Sequence, residues 1–271
     1  MIKILVIIVL FTFFVFLPQK TSELSIPKDR EDEIKEIKHS FEIKEPTETS
    51  VVEKVLQKTP APSSTGNEWW KYPAQIFECS RSGNDLLVLV NKTYKLPSTY
   101  APSDLVKASN SGIRRGENYY LRNILIADLT NMISDAKNSG IDLSIVSGYR
   151  SYQTQVNTYN YWLTKNNNNV EYVDTFSARA GHSQHQLGTV IDFSSNEISD
   201  ALGDRFANTN ASKWLIQNAH KYGFVISYPL GYESTTGYKY ESWHYRYIGT
   251  SNALEMENSG MILENYLRAR N

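Results

Sequence analysis

Two segments far apart in this chain must meet if their side chains are to be used, and that requirement limits its fold more than any other feature. Residues 180–193 read A-G-H-S-Q-H-Q-L-G-T-V-I-D-F, and residues 240–247 read Y-E-S-W-H-Y-R-Y. Between them His185, Asp192 and His244 offer two imidazoles and a carboxylate, a set able to hold one Zn²⁺ and leave a fourth position for water. Glu241, just before the last histidine, adds a carboxylate that can take a proton. The H-E-x-x-H signature is absent, which excludes the common helix-borne site. Gly188 and the β-branched run before Asp192 make one continuous helix a poor link between His185 and Asp192. His185 is therefore expected to close a loop or helix end while Asp192 projects from a strand. Glu241 and His244 would fall on opposite faces of a regular strand, so a bend, bulge or helical turn is needed to aim both at one ion.

The rest of the composition narrows the setting. Cys79 is the only cysteine among 271 residues. No intramolecular disulfide can form, and no thiolate cluster can hold a metal, which leaves histidine and carboxylate ligands. A net charge of −1 gives no electrostatic footprint for nucleic acid. Eighteen tyrosines and five tryptophans suit a carbohydrate-lined groove or a well-packed β-rich core, and the core is the preferred reading.

Residues 1–17 carry one lysine and then a run that is apolar but for Thr12, the pattern of an export signal. The run is shorter than the roughly 20 residues of an ordinary membrane-spanning helix, yet no A-x-A-like cleavage site follows. Residues 1–19 are therefore expected to be a signal peptide or a membrane anchor, and both remain open. The chain is expected to be exported, either anchored facing outward or secreted to the wall or periplasm. Residues 20–66, rich in Lys, Glu, Ser, Thr and Pro, read as a disordered linker with at most a transient charged helix over 29–44. Residues 67–271 are expected to form one domain, with its folded part starting near Asp85.

Within that domain L-L-V-L-V-N-K, 86–92, reads as a strand. Apolar spacing predicts a helix over 119–139 that uses Leu121, Ile124, Leu125, Ala127, Leu129, Met132, Ile133 and Ala136 and stops at Gly140. A strand is expected over 141–150, a helix over 151–163, a short strand over 189–193, and a helix over 212–222 capped by Ser212 and ended by Gly223. Further strands are expected over 224–228 and 243–249. Helices and short strands without regular βαβ alternation indicate an α+β fold.

Three tracts in order, S-G-Y-R-S-Y-Q-T-Q at 147–155, S-x-H-x-x-G-x-x-x-D at 183–192 and E-x-W-H-x-R-Y at 241–247, carry a resemblance. Over roughly residues 85–250 the chain resembles the D-alanyl-D-alanine carboxypeptidase family of the LAS zinc metallopeptidases. The resemblance implies a small, mainly antiparallel sheet flanked by helices. It also implies one zinc ion on His185, Asp192 and His244, with Glu241 as catalytic base. Arg150 would meet the substrate's terminal carboxylate or the developing oxyanion. Gln155 and Ser183 would line the substrate pocket, with Trp243 beside it. Gln184 stands where the family commonly has glutamate, Ala180 where it has proline and Val190 where it has alanine. His182 and His220 are given no role, and Arg246 and Tyr247 either orient the site or support the fold. The implied substrate is a peptidoglycan stem peptide losing its terminal D-alanine. An L,D-carboxypeptidase on tetrapeptide stems is the alternative enzyme, and a non-catalytic wall-binding or signalling module is a different class, which Glu241 argues against.

Overall fold

The computed structural model describes residues 68–271; the apolar N-terminal run, the linker, His39 and the helix expected over 29–44 lie outside the described residues. β1 (Phe77–Glu78) and β2 (Tyr94–Lys95) form a short parallel pair, and β3 (Leu105–Lys107) and β4 (Tyr120–Arg122) an antiparallel one. There follow α1 (Ile126–Asn138), β5 (Leu143–Ser147), α2 (Tyr152–Lys165), α3 (Val170–Asp174), β6 (Val190–Ser195), α4 (Asn210–Asn218) and β7 (Phe224–Ile226). The chain ends with α5 (Glu233–Thr236), β8 (His244–Tyr247), α6 (Thr250–Ser259) and α7 (Leu263–Arg268). Strands β5, β6, β8 and β7, in that spatial order, make a wholly antiparallel sheet, so the α+β expectation holds.

Period-2 alternation along this sheet separates core from site. Ile145, Ile191, Phe193, Phe224, Tyr245 and Tyr247 join one buried cluster with Leu125, Leu129, Met132 and Ala136. Asp192, between Ile191 and Phe193, and His244, one residue before Tyr245, take the other face. A register shift in β5 sets Ile145 opposite Phe193 but Ser147 opposite Asp192. That bulge turns Ser147 from the core to the face that carries Asp192.

Several expected elements differ in the structure. The 86–92 run is not a strand. Val88, Leu89 and Val90 are all buried, but the run joins no ladder among the described residues, and side chains meet several of its backbone groups. The Arg246 guanidinium donates to the Leu86 and Val88 carbonyls, and the Asn271 amide to Leu87. The helix expected over 119–139 begins seven residues later, at Ile126. Its first part is β4 followed by a 3-10 turn, because the backbone N–H of Arg122 bonds to Gly188 and that of Tyr149 to Tyr120. Those tertiary bonds override the helical spacing, and Ile124 is left half exposed. The helix does stop at Gly140, whose φ of +77° suits glycine.

Thr209, not Ser212, caps α4: its hydroxyl accepts the Ser212 N–H at 3.0 Å. The expected end at Gly223 is reached through a 3-10 turn, Ala219–Tyr222. The ordered chain also starts well before Asp85, since the Tyr72 hydroxyl accepts the Arg179 backbone N–H. Helices α6 and α7, which the sequence reading did not assign, bury a second cluster with Leu89, Val225 and Ile248. Among the described residues no helix is long and apolar enough to cross a membrane.

Candidate metal centre and its cleft

His185 sits in a 3-10 turn, Gln184–Leu187, that Ser183 opens by accepting the His185 N–H at 3.3 Å. Gly188 closes the turn with φ +69° and leads into β6; a Cβ there would come within 3.0 Å of Arg122 and 3.1 Å of Leu105. A side chain at 188 would therefore push apart the turn that aims His185. Asp192 follows on β6, directly opposite His244 of β8. Glu241 reaches the same point by a tight turn, with the His244 N–H on the Glu241 carbonyl at 3.3 Å. This turn answers the three-residue offset noted in the sequence.

The three expected ligands converge. One ligand atom from each of His185, Asp192 and His244 lies within 4.8 Å of the others, and all three residues are buried. His185 Nε2 is 3.2 Å from Asp192 Oδ2, His244 Nδ1 is 3.1 Å from Asp192 Oδ1, and His244 Nδ1 is 3.3 Å from Glu241 Oε2. The two imidazoles thus face the centre through different nitrogens, and the far nitrogen of each is engaged. His185 Nδ1 donates to the Gly148 carbonyl at 2.7 Å, and His244 Nε2 lies 3.3 Å from Gln184 Oε1. Asp192 Oδ1 is buried and receives no hydrogen bond among the described residues. An orphaned carboxylate oxygen between two imidazoles whose outer N–H groups are bound elsewhere fits a divalent cation such as zinc.

The acids and imidazoles perturb one another: burial would lower the His244 imidazole, but Asp192 and Glu241 raise it to about 9, so a metal taken up there displaces a proton. Burial alone would raise the Asp192 carboxyl, but the neighbouring imidazoles outweigh it and hold the group well below the usual carboxylate range. Burial lowers His185, favouring the neutral imidazole that a metal requires. Burial raises Glu241, only partly opposed by His244, which brings a carboxylate toward the range useful for a base near neutral pH.

A cavity of about 420 Å³ opens over this centre. Arg150, Gln155, Ser183, Trp243 and Glu241 all line it. Burial lowers the Arg150 guanidinium, while the charges of Asp192 and Glu241 act the other way, as expected for a cation that lines the same cleft as two acids. Arg150 donates to Gln155 Oε1 at 2.6 Å and to Ser147 Oγ at 3.1 Å, and Gln155 in turn donates to the Ala178 carbonyl at 2.6 Å. Gln155 therefore braces the arginine, with both ends of its amide engaged. Ser183 combines a place on the wall with its capping role.

His182 is outside the cluster: its Nδ1 is 2.8 Å from the Asn91 carbonyl and its ring packs edge-on against Tyr72. His220 lies in the 3-10 turn after α4, away from the cleft lining. Arg246 is fully buried and holds the 86–88 backbone, and Tyr247 donates to Asp128 at 2.6 Å, so both serve the fold. The sequence reading missed Tyr228, whose ring lies 4.8 Å from that of His244, and the rim made by Trp162, Tyr172 and Phe176. Excess aromatic content was the available signal, and it did not separate rim from core.

Comparison with known proteins agrees with the geometry. The family model described as VanY, D-alanyl-D-alanine carboxypeptidase, matches residues 118–250. YodJ of Bacillus subtilis (strain 168) is 34% identical over 215 residues, covering 75% of this chain and 78% of YodJ. The structure of the LD-carboxypeptidase LdcB is similar with a TM-score of 0.63 at 32% identity, over 73% of this chain and 97% of that one. A vancomycin resistance D,D-pentapeptidase VanY, solved in complex with Zn(II), is similar with a TM-score of 0.56 at 26% identity, over 69% of this chain and 99% of that one.

Proposed function

Because the chain belongs to the VanY family of D-alanyl-D-alanine carboxypeptidases, we propose that it is an exported, zinc-dependent carboxypeptidase that removes the terminal D-alanine of peptidoglycan stem peptides. The observation that carries this reading is the meeting of His185, Asp192 and His244 beneath one cleft that also holds Glu241 and Arg150. The Zn(II) complex of the VanY relative supports zinc as the ion. Export rests on the apolar N-terminal run, which would leave the catalytic domain outside the cell with residues 20–66 as its tether.

Zinc held by His185 Nε2, Asp192 and His244 Nδ1 would supply Lewis acidity, making water a stronger acid and polarising the scissile carbonyl. Glu241 takes the proton of the attacking water and returns it to the departing amine. Its burial holds that proton in place between the two steps. Arg150, braced by Gln155 and Ser147, presents its remaining guanidinium N–H groups to the cleft. There it meets either the terminal carboxylate of the peptide or the oxyanion that forms at the carbonyl. A carboxypeptidase needs such a fixed cation to select a chain end over an internal bond.

A second reading, L,D-carboxypeptidase action on tetrapeptide stems, is favoured by the likeness to LdcB. The same ligands and base serve both reactions. Incubating the zinc-loaded protein with defined pentapeptide and tetrapeptide stems, followed by mass spectrometry, separates them. Loss of one alanine from the pentapeptide alone supports the D,D reading, and loss from the tetrapeptide supports the L,D reading. No cleavage of either, with zinc bound, would leave the non-catalytic module.

A further inference from the structure

His244 reaches the metal centre through Nδ1, so its proton must sit on Nε2, where a buried imidazole needs an acceptor. The group at that place is Gln184 Oε1, 3.3 Å away. The same oxygen accepts the Ser227 hydroxyl at 2.7 Å. Ser227 also donates its backbone N–H to the His244 carbonyl at 3.1 Å, from the residue that follows β7. Gln184, Ser227 and His244 are all buried, with exposures of 3%, 2% and 4%. The main chain and the ring of His244 are therefore tied to the same small unit, and Gln184 is adjacent to His185, the ligand on the other side of the ion. Resting on the zinc reading above, we infer that Gln184, oriented by Ser227, is a positioning residue for the metal: it fixes the tautomer and tilt of His244 without adding charge.

The chemistry of the residue accounts for the form this support takes. The amide oxygen has two lone pairs, and two donors fill them. A glutamate at 184 would accept the same two bonds but would place a third carboxylate beside Asp192 and Glu241. The neutral amide supplies the acceptor without adding a negative charge behind the ligands, which preserves the positive character of the loaded centre and its pull on water and carbonyl. His185 is oriented differently, by a backbone carbonyl, so the two imidazoles depend on independent supports.

The test is zinc affinity, measured by competition with a chromophoric chelator, for the parent, Gln184→Leu, Gln184→Glu and Ser227→Ala. Gln184→Leu keeps the volume and removes the acceptor, and should weaken zinc by about 10 to 100-fold, the usual cost of losing such a partner. Gln184→Glu should bind at least as tightly as the parent. Ser227→Ala should weaken zinc by less than Gln184→Leu, because the acceptor remains, and it carries the test if the leucine variant does not fold. Circular dichroism of the metal-free proteins separates loss of fold from loss of metal. A parent-like affinity in Gln184→Leu, or in Ser227→Ala if that variant stands alone, overturns the inference. An equal loss in Gln184→Glu also overturns it, since packing and not the acceptor would then be responsible. A parent that binds no zinc sinks the metal reading itself, and this inference with it.

Discussion

Asp192 and His244 form a cross-strand pair, in register on β6 and β8, with the carboxylate 3.1 Å from Nδ1 of the ring. The sheet itself thus sets the spacing of two of the three proposed metal ligands, and only His185 depends on a loop. Because paired residues project to the same face, a one-residue slip of β8 would exchange His244 for a core tyrosine. Tyr245 and Tyr247, buried at 1% and 5% exposure, resist that slip.

Asp192→Asn tests the pair directly. The amide keeps the shape but withdraws the charge that draws in the cation. Zinc affinity should fall by more than the roughly 10 to 100-fold that losing an outer partner costs. Metal analysis after dialysis against a weak chelator measures it, and full zinc retention would remove Asp192 from the ligand set.

Glu241→Gln separates base from ligand. Glutamine cannot take the proton, so kcat should drop by about 10² to 10⁴-fold, the usual contribution of a general base. Zinc content should stay at the parent level, since Glu241 is outside the three-ligand cluster. His244→Ala should instead lose both. A glutamine variant with near-parent kcat would show that another group takes the proton.

The sequence disclosed this site more completely than it disclosed the fold. His185, Asp192, Glu241 and His244 were legible because metal chemistry limits the residue types and the intervening Gly188 limits the local path. The tight turn at 241–244 was required by the offset, and the structure supplies it. Val88, Leu89 and Val90 misled because an apolar run specifies burial and says nothing about what satisfies the backbone. The distant side chains of Arg246 and Asn271 meet the Val88 carbonyl and the Leu89 N–H. Leu121 and Leu125 fit a helical stripe, yet only Leu125 borders the helix. The pairing of β4 with β3 is a long-range fact that local spacing does not contain. The pairing of Gln184 with Ser227 is equally non-local, which is why residue type alone marked Gln184 only as a departure from the common glutamate.

Lys92 provides a pH prediction. Its ammonium is buried at 6% exposure, donates to the Asp174 carbonyl at 2.7 Å, and lies 4.3 and 4.2 Å from the ring centres of Tyr72 and Tyr238. Burial pushes its pKa down to about 7, against roughly 10.4 in an unfolded chain. Between those values the unfolded state holds a proton that the folded state lacks, so stability rises with pH; below about 7 both states are protonated and the slope vanishes. Relative to Lys92→Met, the parent should gain up to about 1.4 kcal/mol per pH unit across that window. Urea unfolding of both proteins at pH 6.5, 8 and 9 reads the difference. A flat difference would mean that the two tyrosine rings keep the amine charged.

Arg150 poses a choice that kinetics can make. Its guanidinium is held by Gln155 and Ser147 and lines the same cleft as Asp192 and Glu241. If it binds the terminal carboxylate, amidating that carboxylate should slow the parent greatly and affect Arg150→Ala little, because the variant has already lost the contact. If it stabilises the oxyanion, Arg150→Ala should fall mainly in kcat and still discriminate against the amide as the parent does. Either role requires a loss on the order of 10²-fold or more with the free-acid peptide, by analogy with removing one oxyanion donor. Gln155→Leu supplies the control for orientation, since it frees the guanidinium without deleting it and should give a smaller loss of the same kind. Near-parent kinetics of Arg150→Ala on both peptides would reject both roles and leave the arginine as a structural cation of the cleft wall.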